Sequence, residues 1–155
     1  MFALYVFFVS LHVACKGPEY TTITESDVQV IMKEVETANL NKDIIAIEKY
    51  LAPFVVINVE MKTPAGLQNL QMSRDQYIEE LKKNFPKITQ YDYQQKNTSI
   101  SIRADGKTAA VETDVVERIV MDGIEGRTIT HEKVVLEIIN GHIVVTALDA
   151  SVKKN

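Results

Sequence analysis

Hydrophobic and polar residues alternate along the last third of the chain, from Thr98 to Ser151. Strands with one buried face typically show this period of two. The region divides into four runs rich in Val, Ile and Thr, separated by Asp105-Gly106, by a loop from Asp122 to Gly126, and by Asn140-Gly141. Because Asp-Gly and Asn-Gly are preferred in tight hairpin turns, the pattern predicts a curved antiparallel sheet.

The turns also predict which strand residues lie opposite each other, since a tight hairpin turn fixes the pairing of its strands. The predicted pairs beside the Asp105 and Asn140 turns form one apolar face: Ile102–Ala109, Ile100–Val111, Ile138–Ile143, Leu136–Val145 and Val134–Ala147. Across the longer middle loop, the same face continues through Val115–Val134 and Thr113–Leu136. A slip of one residue would scatter this face.

Three acidic residues, Glu117, Glu132 and Asp149, fall side by side on the apolar face in this register. Crowding and lost hydration both penalise ionisation, so they raise the pKa of a carboxyl group. Such a group can act as a general acid or base near neutral pH, which makes these three the candidate catalytic residues. The alternative is that the strands extend beyond the helices that cover them, so that the three acids are exposed to water. A bulge in the strand from Thr108 to Met121 would also part them.

The chain before the sheet predicts helices. Thr24 with Asp27 is a variant of the capping box, and the apolar residues that follow it recur at helical spacing. A second, short helix is predicted over residues 42–51, followed by a strand over residues 54–61 and by a loop or returning strand up to Met72. Ser73 with Gln76 is another capping box, and Pro86 ends its helix.

A strand over residues 88–96 then leads into the sheet, and this order of elements indicates an α+β domain with the helices gathered on one face of the sheet. The chain from Thr24 to about Lys153 resembles the nuclear transport factor 2-like superfamily, specifically its SnoaL-like branch of small bacterial domains. The resemblance rests on residues 42–57, on the helix after Ser73 and on residues 100–109. It implies a cone, in which a strongly bent antiparallel sheet with about three helices on its concave side closes around a pocket.

The resemblance does not determine the function. Similar cones serve as ketosteroid isomerases, polyketide cyclases, dehydratases, epoxide hydrolases and non-catalytic binding or assembly modules. No motif of an enzymatic branch matches this sequence residue by residue. The chain also has no Trp, whereas many members carry one near the last strand.

Composition narrows the choice of partners. A chain of 155 residues has enough material for one domain with a real core. A net charge of −4 and a pI near 5.4 argue against a nucleic-acid partner, which would need a basic stripe. We predict no metal and no cofactor, because the chain lacks a Gly-rich phosphate loop and a Cys pair and its three His are dispersed.

Residues 1–15 form a separate segment. Phe2 to Val9 is almost wholly apolar, too short to span a bilayer, which takes about 20 residues, and of the right length for a secretory signal. The sequence that follows, from Leu11 to Cys15, resembles the lipobox of bacterial lipoproteins, although Leu11 is one place further from the Cys than is usual. It predicts export, a lipid on Cys15 that anchors the protein at the periplasmic or cell-surface side of a membrane, a tether over residues 16–23 and a domain over residues 24–155. The alternative is an uncleaved segment packed on the core of a cytoplasmic protein, with Cys15 as a buried thiol.

Four residues are candidate ligand-binding groups: Tyr50, Tyr77, Tyr93 and Thr113. Aromatic residues at such spacing more commonly belong to the core, which is the alternative for the tyrosines. The outer face of the sheet predicts a homodimer, because it carries the apolar residues Val116, Val120, Ile129, Val135, Ile139, Val144 and Leu148. Cover by helices or loops, or scattered surface apolars, would also account for them. His131 is expected on this outer face.

Two functions are compatible with these features. The favoured one is a non-catalytic, exported binding or assembly module with an apolar pocket for a small ligand or a partner protein. The alternative is a small acid–base enzyme, such as an isomerase, dehydratase or cyclase, that uses the pocket carboxylates.

Overall fold

The computed structural model describes residues 19–63 and 66–154. The helices in this part of the chain are α1 (Glu25–Leu40), α2 (Ile44–Glu48) and α3 (Arg74–Asn84), and a 3-10 turn, Phe85–Lys87, follows α3. The strands are β1 (Leu51–Thr63), β2 (Gly66–Met72), β3 (Ile88–Ile102), β4 (Thr108–Met121), β5 (Ile124–Ile139) and β6 (His142–Lys154). The predicted α+β cone with three helices is confirmed.

The six strands form one sheet in the order β2-β1-β6-β5-β4-β3. The sheet is mostly antiparallel, as predicted, and its one parallel pair joins β1 to β6. The pairing of β1 with β6 is irregular between Leu51 and Val56, and Pro53 lies in that stretch. A proline is tolerated there because it has no N–H to donate to a regular ladder. Because β1 already begins at Leu51, α2 is shorter than predicted.

The predicted capping boxes begin α1 and α3. The Thr24 hydroxyl accepts a hydrogen bond from the Asp27 N–H at 3.2 Å, and the Asp27 carboxylate accepts one from the Thr24 N–H at 2.9 Å. Ser73 and Gln76 make the same reciprocal pair. Each box satisfies N–H groups that would otherwise lack partners at the helix start. The buried side of α1, including Val28 and Ile31, then packs into the core inside the cone.

The predicted pairs beside the Asp105 and Asn140 turns are confirmed for Ile102–Ala109, Ile100–Val111, Ile138–Ile143 and Leu136–Val145. The middle connection is different from the prediction. It is a tight turn formed by Asp122 and Gly123, both with positive φ (52° and 77°), and Met121 lies directly opposite Ile124. Val115 consequently pairs with Thr130, four residues away from the predicted Val134. Because four is an even number, the inward side chains stay inward.

A β-bulge in β6 changes the faces of its second half. Leu136 lies opposite Val145, but the next residue back along β5, Val135, lies opposite Ala147, so Thr146 is an extra residue. The predicted pair Val134–Ala147 is therefore wrong, and Val134 lies opposite Leu148. Leu148, predicted on the outer face, lines the interior instead.

Residues 19–23, which the sequence assigns to a tether, pack across two hairpin turns. The Tyr20 N–H donates to the carbonyl oxygen of Gly141 at 2.7 Å, and the Ile23 N–H donates to that of Gly106 at 2.6 Å. Ile23 is buried in the core. This part of the predicted tether therefore joins the turns at one end of the sheet to the helix that follows.

The predicted signal segment and Cys15 lie outside the described residues. Within the ranges that the structure does describe, no helix combines the length and the apolar character needed to cross a membrane.

We predict that Gly141→Ala destabilises the protein more than Gly123→Ala does. Both glycines have left-handed backbones, with φ of 78° and 77°, so each substitution introduces strain of about 1 kcal/mol. At Gly141 the new Cβ would also lie 3.1 Å from Cγ of Glu19, whereas nothing lies within 4 Å at Gly123. Urea unfolding should give a total loss of about 2 kcal/mol for Gly141→Ala. Equal losses would contradict the contact with residue 19.

Candidate functional site

A cavity of about 320 Å³ lies between the concave face of the sheet and the helices. Its walls are mainly apolar, with Ile31, Met32 and Val35 from α1, Leu81 from α3, and Val134, Leu136, Val145 and Leu148 from the sheet. Binding pockets for small molecules usually measure roughly 300–1,000 Å³ and are lined in this way. The cavity is therefore large enough for a small ligand.

Polar side chains interrupt this apolar lining, and five of them form one group: Tyr77 of α3, Tyr91 and Tyr93 of β3, Glu117 of β4 and Glu132 of β5. The other polar residues of the lining are Asn39, Tyr50, Glu80, Asn84 and Gln95. The register explains part of the grouping, since Glu117 lies directly opposite Tyr93. Tyr91 is two residues from Tyr93 and so shares its face. The sequence prediction brought Glu117, Glu132, Tyr77 and Tyr93 to this interior, and it missed Tyr91, which the same alternation could have identified.

Asp149 does not join the two glutamates, so the predicted acidic trio is wrong for one of its three residues. The extra residue Thr146 turns Asp149 to the other face of the sheet, where it is exposed opposite Lys133. Its carboxylate accepts a hydrogen bond from Nδ2 of Asn58 at 2.7 Å. The position nearest to Glu132 on β6 is taken by Ala150.

Hydrogen bonds hold Glu117 in place. Its Oε1 accepts a hydrogen bond from the Tyr91 hydroxyl at 2.6 Å, and its Oε2 accepts one from the Thr128 hydroxyl at 3.3 Å. Thr128 lies directly opposite Glu117 on β5. Both carboxylate oxygens therefore have donors, which offsets part of the cost of placing a charge in an apolar space.

Glu132 has a different environment. Its side chain is half-buried at the cavity wall, and none of the hydrogen bonds among the described residues reaches its carboxyl group. Burial, the larger cause, and the nearby charge of Glu117 together raise the pKa of Glu132 from its ordinary value of 4.5 to about 7. The cavity thus contains a carboxyl group that can take up or release a proton at neutral pH.

The tyrosines around the two carboxyl groups remain protonated. Burial is the main cause that raises the pKa of Tyr77, Tyr91 and Tyr93, and the negative charges of the glutamates contribute next. The Tyr91 proton is used in its bond to Glu117. No hydrogen bond to another described residue involves the Tyr77 hydroxyl, which adjoins the cavity. Tyr77 can therefore donate to a ligand.

Comparisons with known proteins agree with this architecture. No protein-family model and no curated protein matches the chain. Many solved structures match it, among them an NTF2-like protein from Cytophaga hutchinsonii, with a TM-score of 0.67 and 17% identity over 84% of this chain and 100% of that one. The chain has an NTF2-like fold. Identity this low shows the fold alone.

Two further solved structures illustrate the functional range of NTF2-like cones. An NTF2-like protein of unknown function in nutrient uptake from Rhodospirillum rubrum has a TM-score of 0.64 and 15% identity, over 82% of this chain and 98% of its own. A ketosteroid isomerase-like protein from Erwinia carotovora atroseptica has a TM-score of 0.61 and 14% identity, over 83% of this chain and 95% of its own. The matches include both proteins of unknown function and proteins likened to enzymes.

The remaining predicted site residues lie at the margins of the NTF2-like cone's interior. Thr113 is fully buried directly opposite Glu132, but its hydroxyl donates to the Lys96 carbonyl at 3.1 Å and also bonds to Thr98 at 2.8 Å. With its one proton used, Thr113 cannot donate to Glu132. It does not line the cavity in this structure.

Tyr50 lines the cavity with its ring, while its hydroxyl donates to the exposed carboxylate of Glu34. The Lys49 ammonium group lies 4.6 Å from the centre of the Tyr50 ring and 3.2 Å from Glu34. His131 lies on the outer face as expected, with Nδ1 3.0 Å from a carboxylate oxygen of Asp114. These polar groups are engaged outside the cavity.

We predict that Glu132→Gln stabilises the protein at pH 8 but not at pH 4. Glu132 titrates near 4.5 when unfolded and near 7 when folded, so between these values the folded state binds more protons and stability falls as pH rises. Gln is neutral throughout and removes this loss, which amounts to at most about 3 kcal/mol. Urea unfolding at both pH values measures the effect. A Gln-minus-Glu difference that is the same at pH 4 and pH 8 would contradict the raised pKa.

Proposed function

We propose that this protein binds a small, mainly apolar molecule in the cavity inside its NTF2-like cone. The observation that carries the proposal is the concave, mainly apolar space of about 320 Å³ with the Glu132 carboxyl group at its wall. A carboxyl group that is partly removed from water without a hydrogen-bond donor from the protein lowers stability. Features that cost stability are commonly retained at ligand sites.

The cavity also combines a large apolar surface with a few polar groups, as ligand sites usually do. Apolar residues of α1, β5 and β6 offer most of the contact area, and Tyr77 and Glu132 offer one donor and one acceptor that other described side chains do not use. In such pockets the apolar area supplies affinity, whereas a few polar groups fix the orientation of the ligand. A ligand of this kind would be mainly hydrophobic with one polar end.

We predict that Ala150→Phe abolishes the binding of a neutral probe, cyclohexylmethanol. Ala150 lies opposite Glu132 and lines the cavity, so a phenyl ring there occupies the space that the probe needs. In the unmodified protein, amide chemical shifts measured by NMR should change at residues around the cavity, such as Leu136 and Leu148, as the probe is added.

The matched control is Ala110→Phe, because Ala110 is exposed on β4. This variant should bind the probe with an unchanged Kd. If Ala150→Phe folds and still binds as the unmodified protein does, the probe does not occupy the cavity and the proposal fails.

Acid–base catalysis is a second candidate function, favoured by the pKa of about 7 for Glu132. A carboxyl group in this range can both accept and return a proton at neutral pH, as isomerases, dehydratases and cyclases require. Tyr77 adjoins the same cavity and could donate a hydrogen bond to a carbonyl oxygen on which negative charge develops. This function requires a substrate with an acidic C–H bond or a leaving hydroxyl group.

If this protein is an acid–base catalyst, we predict that it accelerates the exchange of the α-protons of cyclohexanone with D₂O. The Glu132→Gln variant should lose this acceleration. The rate should rise with pH through about 7, since only the ionised carboxylate removes a proton. Proton NMR of the ketone measures the exchange. Equal rates with the Gln variant and with the unmodified protein would remove Glu132 as the base and leave the binding function alone.

Export, a lipid on Cys15 and a homodimer belong to the proposal as well. They are supported by the lipobox-like sequence before Lys16 and by the apolar residues Val116, Ile129 and Val135, which are only partly buried and lie on the face away from the cavity. The mass of the mature N terminus tests the first two, because an unmodified Met1 would contradict export. Sedimentation equilibrium tests the third.

A further inference from the structure

The charges around the cavity all have one sign. Among the described residues that line it there is no Lys, Arg or His, and the charged side chains are Glu80, Glu117 and Glu132. A carboxylate ligand would have to approach these acids without a cationic partner. Like charges repel each other strongly in a partly dry site, so the cavity disfavours anions.

Two of the three acids are already satisfied by neighbours. Glu80, at an exposed position on α3, lies 3.5 Å from the Lys83 ammonium group and accepts a hydrogen bond from Asn84 at 3.3 Å. Glu117 accepts its two bonds from Tyr91 and Thr128. Glu132 is the acid of this group to which no other described side chain donates. Water or a ligand in the cavity is therefore the source of a donor for it, and of these two a cationic ligand also supplies a positive charge.

Aromatic rings adjoin the same space. Phe85 and Tyr91 have ring centres 6.2 Å apart, Tyr91 and Tyr93 have ring centres 6.2 Å apart, and Tyr77 lines the cavity as well. The faces of aromatic rings attract cations, and carboxylates combined with such rings are a common environment for organic ammonium groups. The polar part of the cavity thus has the composition that fits a cation.

We propose that the natural ligand is a small apolar amine in its ammonium form, with the ammonium group beside Glu132 and the hydrocarbon body against Val134, Leu136 and Leu148. This inference rests on the proposed function and specifies its ligand class. A neutral ligand could satisfy Glu132 by a hydrogen bond, but it would leave the repulsion between Glu117 and Glu132 in place. An ammonium group offsets both charges and supplies donors.

The test compares three probes with the same carbon skeleton: cyclohexylmethylamine, cyclohexylmethanol and cyclohexanecarboxylate. At pH 8 the amine is protonated, like a lysine side chain, and Glu132 is largely ionised. We expect the amine to bind at least about tenfold more tightly than the alcohol, and the carboxylate to bind most weakly. Kd values come from the amide chemical shifts of residues around the cavity.

Two variants assign the preference to Glu132. Glu132→Gln keeps the size of the side chain and removes its charge, so the amine and the alcohol should then bind with similar Kd. Asp149→Asn is the matched control, because it removes one charge from the opposite face of the same sheet. The preference for the amine should survive in this control.

A second measurement does not depend on the variants folding. Glu117 of β4, Tyr93 of β3 and Tyr77 of α3 are the titratable groups whose charges interact with Glu132, and the tyrosines stay protonated. Lowering the pH from 8 to 5.5 should therefore weaken binding of the amine several-fold by protonating Glu132, while binding of the alcohol should change little.

The possible outcomes distinguish the amine inference from the proposed binding function on which it rests. If the alcohol binds as tightly as the amine, or if the preference persists in Glu132→Gln, the amine inference is overturned and the binding function stands. If no probe binds in the millimolar range, both the binding function and the amine inference are contradicted. A carboxylate that binds most tightly would overturn the electrostatic argument itself.

Discussion

The pairing of β4, β5 and β6 determines the contents of the cavity, and the other properties of the site depend on it. Side chains of a strand alternate between two faces, so one choice of register sends Glu132, Val134 and Leu136 inward. A slip of one residue on β5 would send His131 and Lys133 inward instead. The cavity would then contain cationic side chains beside Glu117. The acidic character of the interior is thus a consequence of strand alignment.

Within that interior, the carboxyl groups of Glu117 and Glu132 differ in the hydrogen-bond donors that surround them. Glu117 has donors on both oxygens, from Tyr91 on one neighbouring strand and Thr128 on the other. Glu132 lies between Thr113, whose proton is used elsewhere, and Ala150, which has none to offer. The charge stabilised at Glu117 makes ionisation of Glu132 harder still. The proton affinity of Glu132 is therefore a property of the assembled sheet.

The parts of the fold that could be predicted depend on partners close in sequence. The capping boxes of Thr24 and Ser73 join residues three apart, and Asn140-Gly141 carries its turn geometry in its own two residues. The middle hairpin shows the limit of such reasoning. Asp122-Gly123 has the same signature, but the prediction placed a longer loop from Asp122 to Gly126. The mistake moved the pairing by an even number of residues, so the two glutamates stayed inward.

The sequence by itself determined the two capped helices, the hairpins at Gly106 and Gly141 and the inward placement of Glu117 and Glu132, because each follows from short-range spacing and from the alternation of strands. Only the tertiary structure decided that Asp149 leaves the site, that Tyr91 holds Glu117 and that Glu132 lacks a donor. Thr146 is an ordinary strand residue in sequence. It becomes an extra residue only through the pairing of β6 with β5. The sequence of either strand alone does not show where this register shift occurs.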